Sequence, residues 1–485
     1  MQQHSQSNEK ISPAGCPAFQ IQTGFLERET CADQECSQKT VSSRETAGWR
    51  VLATQEYQLL KLGDAREVLR ESCANEQNTT NNDISGVVRR AGGLAMGVSL
   101  AGFESLAVVE WDRWACDTIR ENQKRGFPVV RDWPLWEGDV RDFDWGSIPE
   151  GIDLLAGGPP CQPFSMGGKH KAYGDKRDMF PATVDILRKL KPRAFIIENV
   201  KGLTRASFAH YYQYLLLQLE FPEVVRRRHE SWMQHLRRLE CEKTSCTWPA
   251  TGLAYNLVPT LVNAADYGVP QKRERVLIIG FRSDLGIEWS FPQPSHSLEA
   301  LLHAQWITGD YWDRHRISRA RRPDVPPRLA ARVKRLSREL FLPETKPWRT
   351  VRDALVDLPD PAVKAAQPFH NHRFQDGARV YKGHTGSPLD WPAKTLKAGG
   401  HGVPGGENMM VREDGSVRYF SVRESARLQT FPDAYVFHGS WTETMRQLGN
   451  AVPVALARRL CASVAHKLAE AEPGRIARAR GKDAA

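Results

Sequence analysis

The sequence predicts an α/β protein: a mostly parallel sheet with helices on both faces, as in Rossmann-like folds, and then a smaller irregular domain. Two observations carry this. From Leu106 onward short apolar runs alternate with amphipathic stretches, the signature of strand–helix units in a parallel sheet. Beyond Arg282 the alternation stops and the chain becomes rich in Pro, Gly and Arg.

The expected strands are 106–110 (LAVVE), 152–156 (IDLLA), 194–198 (AFIIE), 257–262 and 275–280 (VLIIG after Arg275), each short, apolar and bounded by turn residues. Helical spacing marks 113–124, 181–190 and 207–219 between them. A last helix is expected over 454–470, apolar at Leu456, Leu460, Val464 and Leu468. The domain division that follows has five parts: a polar, poorly ordered extension over 1–85 with one helix at 56–71, a sheet domain over 86–281, and a second domain over 282–440. Then come a segment at 441–472 that completes the sheet domain and a basic flexible tail over 473–485.

At 485 residues the chain exceeds what one hydrophobic core supports, and its 41% hydrophobic and 26% charged content is ordinary for a globular protein. It has no apolar run of membrane-spanning length, and the first ten residues lack the apolar core of a signal peptide, which points to a cytoplasmic protein with no membrane partner. Nine scattered cysteines, an odd number, argue against a disulfide framework. Cys31 and Cys36, and Cys241 and Cys246, are each separated by four residues, but no further spacing completes a metal site, so no metal is expected.

The net charge of +10 is concentrated. Residues 314–352 hold thirteen basic side chains, among them Arg314, Arg316, Arg319, Arg321 and Arg322, against Asp324, Glu339 and Glu344, an excess equal to that of the whole chain. A polyanion such as nucleic acid is the natural partner of such a segment; a solvated basic face is the alternative.

The most informative segment is 157–165 (GGPPCQPFS), directly after an expected strand. Ligands of open α/β sheets bind outside the carboxyl ends of strands, and two prolines before a thiol stiffen the loop that presents it. Four more segments follow: Glu198–Asn199–Val200 at the end of the next strand, 271–276 (QKRERV), 423–432 (RESARLQTFP) and 449–453 (GNAVP). Together, in this order, the five resemble the motifs of the DNA (cytosine-5)-methyltransferases.

That resemblance implies an enzyme that methylates carbon 5 of cytosine in a specific duplex sequence, with S-adenosylmethionine as cofactor and double-stranded DNA as partner. It implies that Cys161 adds to the ring as nucleophile, that Glu198 protonates the base, and that Arg273 and Arg275 orient it. Cofactor contacts fall on Gly92, Gly93, Glu110, Trp111, Asp139, Val140, Pro160, Asn450 and Val452. Gln271, Thr395 and Leu396 fall on the DNA side, Thr395 and Leu396 in a PAKTL element before a glycine cluster at 399–406. Because the target base lies inside a duplex, such an enzyme flips it out. The resemblance further suggests a bacterial, nucleoid-associated monomer, either solitary or paired with a cognate restriction endonuclease that acts on the same site.

The family's first motif is altered here: Gly86, Val88 and Arg90 stand where the family has an aspartate, an aromatic ring and a turn glycine. Either the cofactor site has degenerated, leaving a DNA-binding relic, or the reading frame upstream of about Ala91 has changed, which would also account for the unpatterned first 85 residues. The family's tRNA-methylating branch is a further alternative, disfavoured by the large basic segment between the QKRERV and RESARL motifs.

Overall fold

The computed structural model describes residues 85–89, 92–159, 179–245, 252–339, 343–381, 384–398 and 408–471. Residues 1–84 of the expected extension over 1–85, its helix at 56–71 and the expected tail over 473–485 lie outside the described residues, as do Pro160 and Cys161.

Seven strands form the central sheet: β1 (Ser85–Arg89), β2 (Glu104–Glu110), β3 (Leu135–Glu137), β4 (Leu154–Gly157), β5 (Ala194–Val200), β6 (Tyr255–Asn263) and β7 (Glu274–Arg282). Their order is β3-β2-β1-β4-β5-β7-β6. The first five are parallel, and β7 runs antiparallel to both β5 and β6. All five expected strands are present. Two were missed: β3, too short to show a period, and β1, which falls within the altered motif yet pairs on both sides, with β2 and β4.

Because β1 leads to β2 on one side while β4 lies on the other, strand order reverses between β1 and β4. That reversal opens a crevice at the strands' carboxyl ends.

Alternate residues along each strand feed two separate cores. Val108, Leu154, Ala156, Ala194, Ile196, Leu277 and Ile279 face one core. Ala107, Val109, Leu155, Phe195, Ile197, Val276 and Ile278 face the other. Burial on both faces is why these strands read as continuous apolar runs.

On the first face lie α1 (Gly93–Leu100), α2 (Arg113–Lys124) and the C-terminal helix α12 (Val454–Glu470); on the second lie α3 (Phe180–Leu190), α4 (Ala209–Glu220) and α5 (Trp232–Ser245). The start of α2 is fixed by Asp112, whose carboxylate accepts from the Trp114 and Ala115 amides. Helices α1 and α12 meet without clearance. A Cβ on Gly93 would lie 1.8 Å from the Val452 carbonyl oxygen, and one on Gly97 would lie 2.3 Å from the Ala457 methyl.

The segment after 282 is more regular than its composition suggests. It contains α6 (Leu298–Trp306), α7 (Asp310–Arg314), α8 (Pro327–Leu336) and α9 (Val351–Leu355). In α8 the apolar stripe of Leu329, Val333 and Leu336 was hidden among arginines. Residues 298–348 build two small cores of their own with Trp391 against them, one around Leu301, Tyr311, Trp312 and Trp348, the other around Leu302, Val333 and Leu336. Val351, Ala354, Ala393, Leu396 and several residues between 410 and 437 instead join the sheet's first core. The last two helices before α12 are α10 (Val422–Leu428), which Ser421 and Glu424 open as a capping box, and α11 (Trp441–Asn450).

Candidate active site

The crevice at the switch point is an open cleft. Gly92 enters α1 at φ 123°, a conformation that only glycine adopts freely, and so turns the chain from β1 into the helix. Glu110 ends β2 and is buried; one carboxylate oxygen accepts from the Trp111 and Asp112 amides, both at 3.0 Å. Trp111 beside it is 73% exposed, an unusual cost for an indole that lines a concave wall. Val452 and Asn450 form the opposite side, with Phe431 and Tyr435 behind them in stacked contact at 5.6 Å.

A second, wider cleft opens beside the first. Glu198 and Asn450 line both. At its floor the Arg275 Nε lies 2.8 Å from Glu198 Oε1, with only 11% and 5% of the two side chains exposed. Antiparallel register makes this pair: Glu198 faces Leu277 and Val200 faces Arg275, so the two charged side chains share one face of the sheet as diagonal neighbours. Asn199, also buried, donates to the Pro159 carbonyl at 3.4 Å and so tethers the residue two positions before Cys161. Thr395 and Leu396 supply another wall, and the exposed Lys201–Glu274 pair forms part of the lining.

Of the residues expected at the cofactor, Gly92, Gly93, Glu110, Trp111, Asn450 and Val452 converge on the first cleft. Asp139 and Val140 do not. Asp139 is ion-paired with Arg141, and Val140 is buried in the second core, where its carbonyl accepts from the Trp145 indole at 2.9 Å. Pro160 lies outside the described residues. Glu198, Arg275, Thr395 and Leu396 line the second cleft.

Arg273 and Gln271 call for correction: both are fully buried and line neither cleft. Arg273 donates to the carbonyls of Leu396 at 3.1 Å and of Gly449 and Ala451 at 2.7 Å each. Gln271 accepts from the Leu396 amide at 3.1 Å and donates to the Leu428 carbonyl. Alternation would put Gln271, Arg273 and Arg275 on one face, so the split comes from where the strand begins. Gln271 and Arg273 precede the end of the sheet and turn toward the chain packed beside it, where 393–396 pairs with 270–273; only Arg275 reaches the open floor.

The basic segment stands apart from both clefts. Arg314, Arg316, Arg319, Arg321 and Arg322 line neither cleft. Arg314 is paired with Asp353, Arg321 with Glu413 and Arg322 with Asp313, acids that lie outside the segment in sequence. Arg316 and Arg319 are exposed.

Sequence reasoning missed Asn199 as a tether and the aromatic wall of Phe431, Tyr435 and Phe437. The wall's signal was present, three rings within seven residues, the first of them inside the LQTFP motif. Among the described cysteines, Cys116 and Cys461 are buried, which pushes both thiols up to about 12 and leaves them unreactive. No group of described residues could hold a metal ion, and no helix among them is long and apolar enough to cross a membrane.

The family model for C-5 cytosine-specific DNA methylases matches residues 88–221 and 249–466. Among similar proteins, the type II methyltransferase M.PspPI of Psychrobacter sp. (strain TA137) is 31% identical over 376 residues, which cover 76% of this chain and 75% of that protein. M.Eco47II of Escherichia coli is 29% identical over 455 residues, covering 91% and 93%. M.NgoMIV of Neisseria gonorrhoeae is 28% identical over 376 residues, covering 76% and 92%. Matched along most of its length and built with a doubly wound sheet and adjoining clefts, the chain belongs to the C-5 cytosine-specific DNA methylase family, whose members transfer a methyl group from S-adenosylmethionine to cytosine in DNA.

Proposed function

We propose that this enzyme methylates a cytosine flipped out of a specific duplex sequence, through a covalent adduct with Cys161. The observation that carries the reading is the buried Glu198–Arg275 pair at the floor of a cleft that adjoins the cofactor crevice. Carbon 5 of cytosine is a weak nucleophile, and adding a thiolate at carbon 6 makes it a strong one. Cys161 stands two residues beyond Pro159, which lines the same cleft, and is the thiol that the motif assigns to that addition. As the ring electrons move toward carbon 5, Glu198 hands a proton to N3, and Arg275 holds Glu198 in place and presents its fork to the base. When a base then removes the carbon 5 proton, N3 returns its proton to Glu198 and the electrons expel the Cys161 thiolate, so the enzyme is restored.

The first cleft fits the cofactor. A buried carboxylate suits a pair of ribose hydroxyls, the exposed Trp111 suits an adenine face, and Gly92 leaves room for a close backbone approach. When bound there, S-adenosylmethionine supplies an electrophilic methyl group on its sulfonium. Residues 86–281 with 441–472 carry the chemistry, and 282–440 carry recognition of the duplex apart from Phe431, Tyr435 and Phe437, which wall the cofactor cleft. On the likeness to type II methyltransferases, the enzyme is the modification member of a restriction–modification pair.

The test uses DNA amplified with 5-fluorocytosine in place of cytosine, from which the carbon 5 substituent cannot leave as a proton. Wild-type protein with cofactor should form a complex that survives denaturing electrophoresis, and Cys161→Ser should form none. Trapping that persists in Cys161→Ser would overturn the assignment.

A further inference from the structure

One residue touches the walls of both clefts from behind. Arg273 is fully buried, and its guanidinium donates to the carbonyls of Leu396 and Gly449, which line the second cleft, and of Ala451, which lines the first. Between the last two stands Asn450, which lines both. The surfaces so joined have no slack. A Cβ on Gly449 would lie 2.2 Å from the Ala398 amide nitrogen, so the end of α11 rests directly on the chain that follows Leu396.

Leu396 is held at both its backbone groups. Its amide donates to Gln271 and its carbonyl accepts from Arg273, while the neighbouring Thr395 hydroxyl donates to the Lys272 carbonyl at 2.7 Å. Three successive residues of one segment thus fix the wall that faces the base, but only Arg273 also fixes the loop that faces the cofactor. A guanidinium presents its five donors in a rigid plane, so three carbonyls bound to it cannot move independently.

We propose that Arg273 is a positioning residue that couples the two clefts: occupancy of one sets the wall of the other through a single guanidinium. The inference rests on the assignment of the first cleft to the cofactor and the second to the DNA base. Linkage makes such coupling reciprocal, so DNA strengthens cofactor binding by the same factor as cofactor strengthens DNA binding.

The experiment titrates S-adenosylhomocysteine, which has no methyl group to donate, into the full-length protein by calorimetry, with and without unmethylated plasmid DNA. Wild type should bind it at least about fivefold more tightly with DNA present. In Arg273→Lys, whose single ammonium cannot span three carbonyls, and in Arg273→Met the ratio should fall to less than about twofold. Gln271→Met frees the Leu396 amide but leaves the 449–451 loop held, so it should weaken DNA binding while S-adenosylhomocysteine affinity without DNA stays unchanged. Should Arg273→Met fail to fold, Arg273→Lys and Gln271→Met carry the comparison.

Arg273 variants that weaken both ligands with an unchanged ratio would show a merely structural arginine and overturn the proposal. So would a wild type that shows no coupling. A wild type that binds no S-adenosylhomocysteine overturns the cofactor assignment itself, a result distinct from loss of coupling in the variants alone.

Discussion

Arginines are dense in two parts of this molecule, the basic segment over 314–352 and the motif segment over 271–275, and the two use them in opposite ways. Most arginines of the first lie at the surface, and the fold brings acids to many of them: Asp353 to Arg314, Glu413 to Arg321, Glu299 to Arg332, and Asp390 with Glu413 to Arg352. In the second, Arg273 and Arg275 are buried, one on three carbonyls and the other on Glu198. Exposed pairs in water are worth little, whereas a buried guanidinium removed from its acceptors leaves each of them unsatisfied. A charge count along the chain therefore measures neither how much charge is open to a partner nor which charges the structure depends on.

The largest expected effects lie beside the buried pair. Cys161→Ser should reduce methylation of unmethylated plasmid DNA to background. Glu198→Gln, which keeps the shape but cannot deliver a proton, should lower kcat by about 10²- to 10⁴-fold while DNA binding by gel shift persists. A Glu198→Gln enzyme within tenfold of wild type would return Glu198 to a partner for Arg275 alone.

Next comes stability. Arg273→Met strands three carbonyls and should destabilise the fold by about 3 kcal/mol in urea titration, against less than about 1 kcal/mol for Arg321→Ala at the surface. Equal losses at the two sites would erase the contrast between the regions.

A smaller effect separates the members of the basic segment by pH. Burial alone would raise the Asp353 carboxyl, but His315, Arg314 and the Thr350 amide together hold it well below the usual carboxylate range. A carboxyl depressed in the folded state stabilises fully above its unfolded range, about pH 4, and that contribution is lost as pH falls further. Melting temperatures of wild type and Asp353→Asn should thus differ most near neutrality and converge toward pH 3. A gap that widens on acidification would contradict the sign.

The smallest effect concerns DNA. Reversing the charge of Arg316 and Arg319, which are exposed, should flatten the log–log salt dependence of plasmid binding by roughly 0.9 for each lost phosphate contact. An unchanged slope would mark the segment as a solvated face.

These contrasts also explain what the sequence could and could not disclose. Strands and helices of the sheet region were legible because burial on two faces writes long apolar runs, and α12 was legible from its 3–4 spacing. The motif residues at both clefts were legible by type and order. What the sequence hid is direction: Arg273 and Arg275 are two residues apart, and only the point where the sheet ends decides that one turns inward and the other reaches the cleft. Ion pairing in the basic segment was hidden for a similar reason, since its acids come from residues 299, 353, 390 and 413, of which only the fold makes neighbours. The placement of Asp139 on Arg141 had no signal beyond the adjacency of opposite charges.

The closeness of α1 to α12 has a consequence for synthesis. Gly93 and Gly97 rest on Val452 and Ala457, residues made about 360 positions later. At roughly 5–20 residues per second the ribosome needs on the order of 20 s to over a minute to supply them, and until then the first helix has no surface to close against. The cofactor crevice, walled by both, cannot form on the nascent chain. Folding is dominated by contacts distant in sequence, which makes it slow and leaves the sheet's first face exposed to aggregation during translation. A chain truncated before α12 should accumulate as an aggregation-prone species rather than as a weaker enzyme.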